Sequence, residues 1–534
     1  MANVHLEKAD LLEIIRLKTQ EKLSQTSIGN QFGVGKSTIG DFLRKETHLE
    51  FWEEYDKAPH LKGSIEDVSE SRRKLSGKRF IITSAQNNTY VHDKFFKSLL
   101  AYADHNDAEL IVSTFTYDRK GWHVKGVDGN KDYWYDPKIA NYRLDESVEL
   151  AKDLVLCGEL DILPTAINPL SGFHNYLPTS SGIVPHTKIH MDSLAVPSGE
   201  EPRFLYTTGA CTQRNYIQKK SGQKASYHHC FGALVVEVDS DGDWFVRQVH
   251  AEQATGEFYD FNTKYTPEGV VWEPASVTAI NFGDMHVDKL SDQVMDVCWR
   301  GEASLMRYFT PEYLFVHDIH DHARRNHHNI KDPYFLFKQF TLGKESVRDE
   351  VKRTVDILEE FGEFPTEVVV VESNHDLALE RYLKEQDYRN DPVNAIFFLE
   401  MQLENYQTMA RGEKLQTFKT ACEKVKGSSF ENVTFLKTDE SFRVHGVECG
   451  SHGHNGVAGA RGNVPQFQKQ GIKFNIGHSH SATIRDGVYQ AGACMLEKDA
   501  GYTKGGTTWS VSHILTYANG KRTMVTCKNG KWKA

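Results

Sequence analysis

Apolar positions along this chain recur in two rhythms, and the change from one to the other divides it. Near the amino terminus Leu11, Ile14 and Ile15 follow helical spacing, and Ile28, Phe32, Val34, Ile39, Phe42 and Leu43 fit two short helices broken at Gly33. This pattern predicts a small helix-turn-helix within residues 1–50. Lys36 to Arg44 form its recognition helix, with Lys36, Ser37, Thr38 and Arg44 as candidate DNA contacts. Residues 51–78, ending in GSIEDVSESRRKLSGK, are polar and read as a linker. From Arg79 the rhythm becomes that of strands: RFIITSA, then the amphipathic helix VHDKFFKSLLAYADHND, then ELIVSTF. Residues 79–273 are read as an α/β middle domain with no assigned role, and residues 274–534 as a further domain. In that last part short apolar strands run into histidine and carboxylate, and the tail predicts a β-hairpin turning at Asn519-Gly520.

Composition narrows the classes. A chain of 534 residues exceeds one ordinary core, and 39% hydrophobic with 25% charged residues is the balance of a soluble globular protein. No stretch approaches the ~20 apolar residues of a membrane span. The opening MANVHLEKADLLEII is not a signal peptide, so a cytoplasmic location is expected. The net charge of -10 excludes a surface coated in basic residues but not a local basic groove.

Eight cysteines stand singly without a CxxC pair, which reads as reduced, buried thiols. His228 and His229 beside Cys230 lack further ligands at metal spacing and are expected to be core or hydrogen-bonded groups. GVGKST is not a phosphate-binding loop, because Asn30 stands where that motif needs glycine and a helix, not a strand, precedes it.

The informative positions are the strand ends. SVTAINF delivers Asp284 and His286, YLFV delivers His317-Asp318, and EVVVV delivers Asn374-His375-Asp376. FRVHGVECGS delivers His452 and His454, and IKFNI delivers His478 and His480. Turn chemistry alone would not select histidine and aspartate at five strand ends. Ligands from distant sequence are therefore expected to converge at one sheet edge, with Asp-x-His along an extended segment reaching one ion. A carboxylate such as Asp318 can bridge two cations, and the N/O donor set selects no soft ion.

Asp-x-His, a lone Asp, Asn-His-Asp, His and Gly-His-x-His, in that order over residues 284–480, resemble the calcineurin-like metallophosphoesterases. The resemblance implies an α/β fold with a carboxyl-terminal β-sandwich flanked by helices. It implies two divalent metal ions, Mn²⁺ in first place, with Mg²⁺, Fe or Zn²⁺ as alternatives. One ion would be held by Asp284, His286, Asp318 and His480, the other by Asp318, Asn374, His452 and His478. His375 would be unligated and would stabilise or protonate the departing oxygen, with Asp376 orienting it. The implied reaction is phosphoester hydrolysis by a metal-bridging hydroxide. Two positions depart from the family, since His317 and Ser373 stand where it usually has glycine. The stretch HDIHDHARRNHHN also supplies Asp321 as a second choice for the bridging carboxylate, and Arg324 and Arg325 as phosphate contacts or solvated surface.

The order of parts, together with DILPTAINPLSGF and TTGACTQRNY in the middle unit, resembles the phage-encoded metallophosphoesterases of the T5 pre-early DNA-transfer type. That resemblance implies a metal-dependent DNase acting in the host cytoplasm, degrading host DNA and aiding phage DNA transfer. DNA is then the expected substrate, and a homo-oligomer is an open expectation. Two other readings stand beside it: a nucleotide or protein phosphatase whose amino-terminal unit oligomerises, and a DNA-binding regulator whose metal domain is inactive.

Overall fold

The structure is a computed structural model that describes residues 8–19, 23–44, 72–117, 134–438, 440–496, 498 and 505–534. The first part of the expected linker, residues 51–71, lies outside the described residues. The chain divides into two compact units, Met1–Arg73 and Lys74–Ala534.

In the first unit three helices, α1 (Lys8–Thr19), α2 (Gln25–Phe32) and α3 (Lys36–Phe42), close around Leu11, Ile14, Leu17, Ile28 and Ile39. The Ser24 side chain accepts the Ser27 N–H to start α2, and Gly33 ends it at φ +67, a left-handed cap that glycine adopts without strain. GVGKST therefore joins two helices. Lys36, Ser37 and Arg44 are exposed and Thr38 is half-buried, and Arg44 pairs with Asp41 at 3.3 Å.

The second unit is mixed α/β. It begins β1 (Arg79–Gln86), α4 (Asp93–Asn106) and β2 (Glu109–Phe115), and continues through β3 (Met191–Leu194), β4 (Gly232–Val238) and β5 (Trp244–His250). Then come β6 (Val277–Asn281), β7 (Tyr313–His317), α5 (Val347–Phe361), β8 (Glu367–Val371), α6 (Asp376–Glu385) and β9 (Val433–Leu436). The chain closes with β10 (Val447–Glu448), β11 (Lys473–Ile476), β12 (Thr483–Arg485), β13 (Val488–Gln490) and the hairpin β14 (Ser512–Tyr517) and β15 (Arg522–Thr526), with Gly520 at φ +72 in its turn.

Strands β9, β8, β7, β6, β14 and β15 lie side by side in that order, and the first four run parallel. Their apolar runs are continuous because both faces are covered. Val368 and Val370 point into the core that holds Val351, Val355 and Leu358 of α5, while Val369 and Val371 point to the opposite side, against Val444, Val447 and Cys449. The strands around β10 and β11 form the second layer.

The sequence places a boundary near Pro274, yet residues on both sides of it build the same layers. β12 pairs with β3 through Ile484 and Met191. Gln248 of β5 donates its N–H to Thr523 Oγ1 at 3.0 Å and accepts the Met524 N–H at 2.9 Å. Buried polar pairing helps to hold this junction. The Arg247 guanidinium reaches Asp260 at 2.5 and 2.7 Å and Glu237 at 2.8 and 3.2 Å, all three residues being buried. Burial works to raise the Glu237 carboxyl, and Arg247 outweighs it and holds the group below its ordinary value. Arg247→Met is expected to lower stability by about 3–5 kcal/mol, because two carboxylates are left buried without their cation. Chemical denaturation reads this directly, and a loss under about 1 kcal/mol would mean that the cluster behaves as an exposed ion pair.

Candidate metal centre

β6, β7 and β8 are parallel, so Asp284, Asp318 and Asn374 leave their sheet at one rim. The two loops are stitched together: the Met285 N–H donates to His317 O at 2.9 Å and the His286 N–H to Asp318 O at 2.8 Å. β10 and β11 are also parallel and bring His452, His478 and His480 from the facing layer, where the Gly477 N–H donates to His452 O at 2.7 Å. The expected single sheet edge is thus corrected to two edges. Packing Phe315, Val369 and Val371 on Val444 and Val447 sets one row of strand ends over the other.

Donor atoms of Asp284, His286, Asp318 and His480 lie within 4.8 Å of one another, and all four residues are buried. His286 Nε2 and His480 Nε2 are 3.1 Å apart, and His480 Nε2 is 3.1 Å from Asp284 Oδ2. Asp318 Oδ2 stands between this group and a further imidazole, 3.7 Å from His286 Nε2 and 3.4 Å from His452 Nε2. The half-buried His478 ring packs 5.3 Å from that of His452, and Asn374 occupies an exposed position in the turn after β8.

These residues fit a metal ion on their own chemistry. Both oxygens of Asp284, Oδ1 of Asp318, both nitrogens of His452 and Nδ1 of His480 are buried with no hydrogen-bond partner; the 3.1 Å approach of His480 to Asp284 lacks hydrogen-bond geometry. Buried carboxylates without donors cost several kcal/mol unless a cation neutralises them. Donors that share one ion at ~2.0–2.1 Å sit about 3 Å from each other, as His286 and His480 do. Nitrogen and oxygen donors together suit a divalent ion of hard or borderline character.

The electrostatics follow from this crowding. Burial pushes the Asp318 carboxyl up, but His452, His375 and His286 win and hold it well below the ordinary range. His375 moves the other way, to about 10: burial disfavours its charge, and Asp318 and Asp321 more than restore it. Burial, with Asp318 adding to it, pushes Asp376 up to about 7.

Three sequence expectations change here. Asp376 does not orient His375. Its Oδ2 accepts the Ser373 N–H at 3.0 Å and the Ser373 hydroxyl at 2.9 Å, because α6 begins at Asp376 and its carboxylate folds back on the turn that starts the helix. Asp321 takes that role, with His375 Nδ1 at 3.1 Å from its Oδ1 and 3.2 Å from its carbonyl oxygen. Asp321 also reaches His286 Nδ1 at 3.3 Å, and donor atoms of His286, Asp321 and His375 lie within 4.8 Å of one another. Arg324 and Arg325 are buried rather than solvated. Arg325 grips Asp391 at 2.7 and 2.9 Å, and Arg324 donates to Ser346 O. Finally, the Asp284-x-His286 segment is not simply extended, since His286 turns at φ +46.

The two positions that depart from the resemblance also have a place in the structure. Ser373 is the donor just described. His317 is fully buried with its ring 5.6 Å from that of His452, and Gly477 gives it room, because a Cβ there would lie 3.3 Å from His317 Cβ and 2.2 Å from Asp284 Oδ1. In the middle region His229 is hydrogen-bonded as expected, to Tyr216 Oη at 2.6 Å and to Thr212 O at 3.0 Å. Two further clusters had no sequence signal of their own: Cys298, Cys494 and His513, and His320, His322 and Glu350. Cysteines nearly two hundred residues apart carry no spacing motif, and Glu350 belongs to a helix whose charges read as surface.

Among the described residues no helix is long and apolar enough to cross a membrane. No protein-family model matches the chain and no solved structure matches it. It is 41% identical over 491 residues to Protein A1 of Escherichia phage T5, which covers 90% of this chain and 87% of that protein. Identity of this degree across most of both chains shows common descent, and the chain belongs to the family of phage T5 Protein A1.

Proposed function

We propose that this protein is a phage-encoded, metal-dependent phosphodiesterase that cuts DNA. The observation that carries this reading is the joint placement of buried carboxylate oxygens without hydrogen-bond donors, both of Asp284 and Oδ1 of Asp318, beside an imidazole that belongs to another carboxylate, His375 on Asp321. In this reading the two facing layers of strands are a metallophosphoesterase β-sandwich, residues 274–534 are its catalytic part, and α1 to α3 are a helix-turn-helix. The exposed Lys36, Ser37 and Arg44 would lie along phosphates.

Two divalent ions, Mn²⁺ first among the candidates, would be held by Asp284, His286, Asp318 and His480, and by Asp318, Asn374, His452 and His478. When bound they supply charge neutralisation for the phosphate and activation of water. The remaining roles belong to side chains. Asp321 accepts from Nδ1 of both His286 and His375, which fixes the proton on that nitrogen in each ring. His286 then presents an Nε2 lone pair to the centre, and His375 keeps Nε2 as the nitrogen that can give a proton. Asp321 beside Nδ1 favours the charged form of that imidazole, which suits a general acid for a poor leaving group such as a deoxyribose oxygen.

A digest of closed-circular and linear duplex DNA with EDTA, Mg²⁺ or Mn²⁺ tests the reading. Cutting is expected only with metal and is expected to vanish in Asp318→Ala. His375→Ala should slow DNA cleavage by about 10²–10⁴-fold. It should slow bis(4-nitrophenyl) phosphate cleavage far less, because nitrophenolate leaves without a proton. DNA left intact while a nitrophenyl phosphate monoester is hydrolysed would replace the nuclease with a phosphatase. Asp321→Asn should weaken metal binding by about 10–100-fold in titration calorimetry, through loss of support for His286. Unchanged affinity would remove Asp321 from the assembly.

A further inference from the structure

We propose that His320, His322 and Glu350 form a separate site for one divalent transition-metal ion of the Zn²⁺ type, which pins the loop carrying Asp318 and Asp321 to helix α5. The three residues are buried, their donor atoms lie within 4.8 Å of one another, and none of them belongs to the centre described above. Along the loop, Asp318 and Asp321 face that centre. His320 and His322 turn instead toward Thr354 of α5 and the rings of Phe418 and Tyr382.

Each ring is set for a ligand. Thr354 Oγ1 donates to Glu350 O at 3.4 Å and lies 3.3 Å from His320 Nδ1, so the hydroxyl oxygen accepts the Nδ1 proton and leaves Nε2 as a bare lone pair. Nε2 has no partner. A ring nitrogen fixed by a neighbour while the other is left open is the arrangement found around metal-bound histidines. His322 has no hydrogen-bond partner on either nitrogen, although it is fully buried and its backbone is held at φ +47. Orphaned nitrogens of this kind are costly in a protein interior, a loss that coordination removes. Glu350 is placed in the first turn of α5 and takes the Ala323 N–H on Oε1 at 2.5 Å and the Arg324 N–H on Oε2 at 3.4 Å. Each oxygen keeps a lone pair.

The donor set fixes the class of ion. Two neutral imidazoles and one carboxylate are a known zinc set, richer in nitrogen and poorer in charge than the aspartate pair next door. The cysteine cluster does not compete. His513 Nδ1 accepts the Gly283 N–H at 3.0 Å, so its proton sits on Nε2, 3.3 Å from Cys298 Sγ, and the neutral ring has no lone pair left for a metal.

The test is metal content by mass spectrometry together with anomalous diffraction at the zinc edge, on full-length protein loaded with Zn²⁺. Wild type and Asp318→Asn should both show a peak between His320, His322 and Glu350. His322→Gln and Glu350→Gln should lose that peak and about one zinc per chain while keeping metal beside Asp318. Absence of the peak in wild type, or equal zinc content in a folded His322→Gln, overturns the proposal. If the variants do not fold, the wild-type anomalous map decides alone. A protein that shows the peak but cuts no DNA overturns the nuclease reading and leaves this site standing.

Discussion

The structure turns on two buried carboxylates, Asp284 and Asp318, that have imidazoles around them and three oxygens between them without a hydrogen-bond donor. A fold does not tolerate such groups by accident, because each would otherwise be protonated or driven to solvent. Their position follows from strand direction. Only parallel strands with both faces covered could bring Asp284 and Asp318 to one rim and keep that rim dry. The facing layer closes the pocket with His452 and His480, and the absence of a side chain at Gly477 lets the two rims meet.

Arg247 gives the contrast that makes this argument specific. Its cluster with Glu237 and Asp260 is as buried as the aspartates of the metal centre, yet its guanidinium is satisfied in a paired fork on both carboxylates. Equal burial with opposite satisfaction separates a charge cluster that holds layers together from one whose donors could hold a cation. Asp321 lies between these extremes: its carboxylate is spent on two histidines, which is what makes them dependable neighbours of the centre.

Much of this was legible in the sequence because it rests on local pattern. Val368 to Val371 read as a strand buried on both faces, and the residues that end each strand carried the chemistry. What the sequence hid depends on how one element meets another. Asp376 follows His375 directly and looks like its partner, but a helix starting at that residue turns the carboxylate toward Ser373 instead. Arg324 and Arg325 read as a surface pair, and they are buried against partners distant in sequence, Ser346 for Arg324 and Asp391 for Arg325. Glu350 has the pattern of an exposed helical glutamate, and only the return of the loop over α5 encloses it. Membership of the second strand layer, which brings β3 beside β12, likewise has no signature in either segment.

The backbone around the centre carries a further meaning. His286, Asp318, His322, His478 and His480 all sit at positive φ, between +45 and +78, where an L side chain costs roughly 1 kcal/mol. Glycine or asparagine would relax every one of these turns. A lineage that stopped using these residues would gain folding stability through substitutions of the simplest kind, and drift alone would supply them. Histidine and aspartate at these five turns therefore lower the stability of the fold, a cost tied to the positions their side chains reach.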